Sequence, residues 1–221
     1  MRLIPLALLA FSILAGFARP FPVAGAPLSF DQVLEAVDAC YEKINTLKAS
    51  FDQVVEVPVL EKKENFRGRL YYMKPDYLRL EYDKPKGQLL VADGSWYWFV
   101  MPQPDMLQAM RTPMRQGETG PRYVLGGGML ERYSGSLAGI EKRRGVPTYV
   151  LDLAPNSPSP YYRHLRAWID TSSFATRAVQ YIDESGNFNT FDLFKLEENV
   201  PLSPALFVYN PPPGTQILDI E

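Results

Sequence analysis

Between Phe66 and Trp98 the chain alternates apolar and polar residues in short runs, broken by Lys74-Pro75, Lys84-Pro85-Lys86-Gly87 and Asp93-Gly94. A period of two places successive side chains on opposite faces, so such runs must become strands with one covered side. Phe66, Gly68, Leu70 and Tyr72 form one set against Arg67, Arg69, Tyr71 and Met73, and Leu78, Leu80 and Tyr82 form another against Tyr77, Arg79 and Glu81. Asp93-Gly94 between Leu89-Leu90-Val91 and Trp96-Tyr97-Trp98-Phe99 predicts a type I′ hairpin, because both turn residues there need positive φ. The chain is therefore committed to an antiparallel sheet with an oily face.

One helix precedes the strands. Ser29 and Gln32 have capping-box spacing, and Val33, Val37, Cys40, Tyr41, Ile44 and Leu47 recur at helical intervals, predicting an amphipathic helix of about five turns. Glu35, Asp38, Glu42 and Lys43 fall on its polar face. From Ala49 the period becomes two, and Pro58 ends the run. Between Pro102 and Leu137 alternation is lost, leaving an irregular segment with Met106, Met110, Met114, Met129 and Gly126-Gly127-Gly128. Strands resume at 148–153, 163–170, 175–182 and 187–197, and Glu141-Lys142-Arg143-Arg144-Gly145 reads as a solvated hairpin turn. The expected fold is mainly β: an incomplete antiparallel barrel of about eleven strands, its concave face covered by the N-terminal helix and short lid helices.

Residues 1–26 have the pattern of a secretory signal, with Arg2, an apolar run from Leu3 to Ala15, then small residues. The run is shorter than the ~20 residues a bilayer span needs. Ala24-Gly25-Ala26 fits the cleavage rule, whereas Pro27 after it favours a cut near Ala18. Residues 27–221 then form a single domain. Leu14-Ala15-Gly16-Phe17 is a lipobox with phenylalanine in place of the acylated cysteine, so the mature protein is expected to be soluble in the periplasm. Cys40 is the sole cysteine and no intrachain disulfide can form.

A balance of 23 basic and 25 acidic residues gives no general attraction for phosphates and argues against nucleic acid as a partner. No G-x-x-x-x-G-K-[ST] or G-x-S-x-G is present. The sole histidine, His164, lies on a strand without a Cys/His/carboxylate cluster, so neither an enzyme, a metal site nor a cofactor is expected.

Gly68-Arg69-Leu70-Tyr71-Tyr72-Met73-Lys74-Pro75, Leu78 to Tyr82, Lys84-Pro85 and Leu90-Val91-Ala92-Asp93-Gly94 with Trp98 together resemble the outer-membrane lipoprotein carrier family LolA. Phe51-Asp52-Gln53 resembles that family's first strand, and Phe207 to Thr215 its closing strand and P-x-G turn. The resemblance implies a monomeric carrier that holds the acyl chains of lipoproteins in a hydrophobic cavity. It implies loading by an inner-membrane ABC transporter of the Lol type and delivery to a LolB-like outer-membrane acceptor, where one exists. The cavity candidates are Phe51, Leu70, Tyr72, Leu78, Leu80, Tyr82, Leu90, Trp98, Met106, Met110, Leu125 and Met129. Lys74 stands where the family commonly has an arginine that holds the lid shut, and lacks the planar fork of donors arginine offers. A LolA-fold carrier of another lipid or glycolipid, and a periplasmic lipid-stress sensor binding a regulatory partner, are the alternatives.

Overall fold

The computed structural model describes residues 28–104, 106–114, 125, 127–157, 162–183 and 185–220. Helix α1 (Phe30–Glu42) opens with the capping box: the Ser29 hydroxyl accepts from Gln32 N and the Gln32 side chain accepts from Ser29 N. Val33, Leu34, Val37 and Tyr41 are its buried stripe. The helix stops short of its periodicity because Asn199, beyond the last long strand, claims the backbone that follows. Asn199 Nδ2 donates to Lys43 O at 3.0 Å and Asn45 N donates to Asn199 Oδ1 at 2.8 Å, which turns the chain outward before Leu47. Leu47 thus lies on a strand, facing the same core as the helical stripe.

Twelve strands form one open, curled sheet: β1 (Thr46–Val57), β2 (Lys62–Met73), β3 (Tyr77–Lys84), β4 (Leu89–Ala92), β5 (Trp96–Pro102), β6 (Leu107–Pro113), β7 (Tyr133–Arg143), β8 (Val146–Pro155), β9 (His164–Asp170), β10 (Thr176–Ile182), β11 (Phe188–Glu198) and β12 (Gln216–Asp219). The order is β12-β6-β5-β4-β3-β2-β1-β11-β10-β9-β8-β7. All pairs are antiparallel except β12 with β6. Helix α1 covers the concave face in two stretches. Tyr41, with Ile44 just past the helix, lies over Leu47, Phe51, Leu70, Tyr72 and Leu193, while Val33, Leu34 and Val37 lie over Leu151, Leu165 and Ile169.

Three further expectations need correction. β6 lies inside the stretch expected to be irregular; Ala109 alone of its residues is buried, so burial gives it no clear period. The β4–β5 turn is centred on Gly94-Ser95, with Asp93 N bonded to Trp96 O and positive φ only at Gly94, as in a type II′ turn. The Asp93 carboxylate instead accepts from Ser95 N, Trp96 N and Trp98 Nε1. Residues 207–209 are not a strand; the closing strand is β12, after Pro213-Gly214.

The β7–β8 hairpin turn lies where the sequence puts it, with Glu141, Lys142, Arg144 and Gly145 exposed, and its two arginines reach across the convex face. Arg143 lies 4.4 Å over the Trp168 ring and pairs with Asp192, and Arg144 lies over Phe194 and pairs with Asp52. Elsewhere on that face the C-terminal segment crosses the sheet. Phe207 is buried against Tyr77, Arg79 Nη1 donates to Leu206 O at 3.0 Å, and Tyr209 meets Trp98 with centroids 5.3 Å apart.

Asp170 ends β9 and organises the turn into β10. Its buried carboxylate accepts from Ser172 N, Ser172 Oγ and Ser173 N, and from Arg177 at 2.7 Å. Burial alone would raise its pKa, but these donors outweigh it and hold the group well below the usual carboxylate range. A lowered folded-state pKa contributes stability that is complete above about pH 4 and is lost as the pH falls through the folded value. Asp170→Asn should therefore lower the denaturation midpoint at pH 7 and make stability less sensitive to pH between 4 and 2, measured by urea titration across that range.

The concave face and its cover

Alternation along β1–β4 and β11 builds the floor of the concave face. Phe51, Leu70, Tyr72, Leu78, Leu80, Tyr82 and Leu125 belong to one buried cluster, and half-buried Leu90 packs on its margin. Leu80 is opposite Leu90, Leu90 opposite Phe99 and Phe99 opposite Met110, so Met110 shares this face at the β6 end. Met129 is buried in the second cluster, with Val33, Leu34 and Val37 of α1.

Two candidates lie elsewhere. Trp98 is opposite Val91 and clusters with Val91, Val100 and Ala109 beneath Tyr209, on the convex side. Met106 precedes β6 and is 50% exposed. The run from Trp96 to Val100 is apolar throughout because β5 is covered on both faces, and a strand covered twice gives no parity to read.

Among the described residues, the segment around 125–132 is fastened to α1 and β10 at three points. Asp38 of α1 accepts from Met129 N at 2.7 Å and Leu130 N at 3.0 Å, capping the short helix Met129–Arg132 from another element. Gly127 lies against the Tyr41 ring, where an added Cβ would sit 2.6 Å from a ring carbon. Thr176 Oγ1 of β10 donates to Leu125 O at 3.1 Å. Sequence reasoning placed Asp38 on a solvated face. The available signal was that Gly127-Gly128 before Met129 offers no side-chain cap, so its first N–H groups need a remote acceptor. Residues 115–124 and Gly126 lie outside the described residues, and with them the rest of the expected lid.

Lys74 follows β2 and reaches α1. Its Nζ donates to Glu42 O at 2.9 Å, approaches Glu42 Oε2 at 3.3 Å, and lies 5.2 Å from the Tyr41 ring centroid. A cation at a helix C-terminus meets the negative end of the helix dipole and satisfies a terminal carbonyl. Beside it the Tyr41 and Tyr72 hydroxyls are hydrogen-bonded, and Tyr72 OH donates to Pro75 O at 3.2 Å. Lys74→Ala should loosen the end of α1 by about 1 kcal/mol, seen as faster hydrogen exchange of the last helical amides with the sheet unchanged. Cys40, half-buried beside this cluster, has its thiol pKa raised by burial and by Glu198.

Residues 42–210 match the family model described as "Outer membrane lipoprotein carrier protein LolA". The chain belongs to the LolA family. Among curated relatives named outer-membrane lipoprotein carrier protein, that of Leptothrix cholodnii is 27% identical over 179 residues, covering 80% of this chain and 81% of its own. That of Nitrosomonas europaea is 24% identical over 212 residues, covering 96% and 98%. Of solved structures, an uncharacterized conserved protein from Thermus thermophilus shares the fold with a TM-score of 0.54, at 13% identity, over 85% of this chain and 97% of its own. In this LolA family member, no helix of the described residues is long and apolar enough to cross a membrane.

Proposed function

We propose that this protein is a soluble periplasmic carrier that takes up the acyl chains of lipoproteins on its concave face and moves them from the inner to the outer membrane. The observation that carries the reading is the construction of that face. Its floor is apolar across adjacent strands, while its cover is a single helix and a segment hung on that helix by Asp38 and the Tyr41 contact and on β10 by Thr176. Among the described residues, the hydrogen bonds that hold this cover lie outside the strand pairing.

An acyl chain of ~16 carbons at ~0.8 kcal/mol per CH₂ is held in a membrane by roughly 12 kcal/mol. A carrier must offer a comparable apolar surface and shield it from water between membranes. In this reading a Lol-type ABC transporter supplies the energy for loading, and a LolB-like acceptor or the outer membrane itself receives the cargo. The test is incubation of the mature protein with inner-membrane vesicles holding a triacylated lipoprotein. Release of that lipoprotein as a one-to-one soluble complex is expected, and failure to release or bind it would overturn the proposal.

A further inference from the structure

The concave face changes character at one register. On β1 the positions facing the core are Leu47, Ala49, Phe51 and Gln53, all buried, followed by half-buried Val55 and Val57. Gln53 is thus the outermost buried position of its strand, and it is an amide. On β3 the corresponding outermost buried residue is Tyr82, with exposed Lys84 beyond it. On β11 it is Asn189, diagonal to Gln53 through the pairs Gln53 with Phe191 and Val55 with Asn189. Next to Asn189 on β10 stands Tyr181. Polar groups therefore cross β3, β1, β11 and β10 where burial ends, after an apolar floor of Leu47, Phe51, Leu70, Leu80 and Leu193.

These groups are enclosed, not surface side chains. Gln53 is 8% exposed and Tyr82 and Asn189 are 7% exposed. Phe51, Phe66 and Phe191 surround the amide: Phe51 and Phe66 meet the Tyr82 ring nearly edge-on, and Phe51 meets Phe191 at 5.8 Å. Tyr82 OH donates to Gln53 Oε1 at 3.0 Å, which uses the acceptor end of the amide. Among the described residues nothing accepts from the Gln53 NH2 group, and the Asn189 NH2 has the Asp183 carboxylate at 3.5 Å, the limit of a hydrogen bond. The Gln53 nitrogen keeps contact with solvent at the edge of this aromatic setting, so a ligand acceptor can reach it and take the place of water.

We infer that Gln53 and Asn189, with Tyr82 holding the first of them, form a carbonyl-binding belt that fixes the ester or amide carbonyls of an acylated ligand while its chains lie on the apolar floor. The inference rests on the acyl-binding reading and adds the depth and polarity of the bound molecule. A neutral acceptor is the ligand chemistry that fits. The belt consists of amides and phenols, and Asp183 beside Asn189 repels a phosphate or carboxylate. Burial keeps both phenols protonated, Tyr181 being pushed up to about 12. The belt also orients the ligand: the headgroup lies beyond it, toward half-buried Val55 and Val57, where burial ends.

The experiment is competition against an apolar fluorescent probe bound to the full mature protein. The competitors are a dipalmitoylglyceryl-cysteine peptide, dipalmitoyl phosphatidylglycerol, and the dialkyl-ether analogue of each, which keeps the chains and lacks the carbonyls. The ester peptide should compete about threefold to tenfold better than its ether analogue, the increment expected of one neutral hydrogen bond. Gln53→Leu and Asn189→Leu should each reduce that preference, read as the ratio of ester to ether affinity within the same variant. Because Gln53→Leu strands the Tyr82 hydroxyl, the double variant Gln53→Leu/Tyr82→Phe removes both partners and should fold while losing the same preference.

An ester preference for the peptide alone identifies a lipoprotein source, and one for both esters identifies diacyl lipids in general; either supports the belt. Equal competition by ester and ether in the unaltered protein, or a preference surviving in all three variants, overturns it. Failure of every ligand and of the probe to bind would instead reject the acyl-binding reading itself, and the belt with it.

Discussion

Gly68→Ala is expected to give a protein that does not hold the native sheet at 37 °C. A Cβ at Gly68 would lie 2.1 Å from Glu81 O and 2.8 Å from the Phe51 ring. The first contact is with backbone, so no rotamer change relieves it, and β2 and β3 must separate at the point where their register already shifts between Arg67 and Gly68. Overpacking of this kind costs about 3 kcal/mol or more, a large share of the 5–15 kcal/mol that holds a typical domain together. Thermal unfolding followed by near-ultraviolet dichroism should show the loss. A Gly68→Ala protein as stable as the unaltered one would mean that β2 and β3 can part here at little cost.

The second large effect is Phe51→Ala, and its value lies in how ligand changes it. Phe51 is fully buried at the centre of the concave floor, with Tyr82 and Phe191 against its ring. Truncation should cost about 3–5 kcal/mol without ligand. A bound molecule stabilises the native state in proportion to the logarithm of its excess over Kd, about 2.7 kcal/mol at a hundredfold excess. If an acyl chain lies over this floor, part of it can occupy the space left by the ring, and the rise in Tm on adding a long-chain ligand should be larger in Phe51→Ala than in the unaltered protein. Equal rises would place Phe51 in the core, remote from bound chains.

The sequence made much of this structure readable. The capping box at Ser29, the strand from Ala49 to Val57 and the alternation through β2 and β3 were plain because each lies in an element with one covered face. What escaped depends on contacts from afar. The end of α1 is set by Asn199, the cap on Met129–Arg132 comes from Asp38, and the side chosen by Trp98 is set by a C-terminal segment that returns to cover it. Gln53 belonged to a motif that suggested the first strand, yet nothing local distinguishes a buried glutamine from an exposed one. Its burial becomes visible only when β2, β3 and β11 are placed beside β1.

The strand order also has a kinetic meaning. At the centre of the sheet β1 pairs with β11, Phe51 lying opposite Leu193, and the edge pair β6–β12 joins Gln108 to Gln216. Both pairings close loops that span much of the chain, and sheets dominated by such distant contacts fold slowly. The hairpins β2–β3 and β4–β5 can form early, but they cannot be joined to the β7–β11 half until β11 has been made. The polypeptide therefore stays open, and competent to be threaded, until nearly all of it is available.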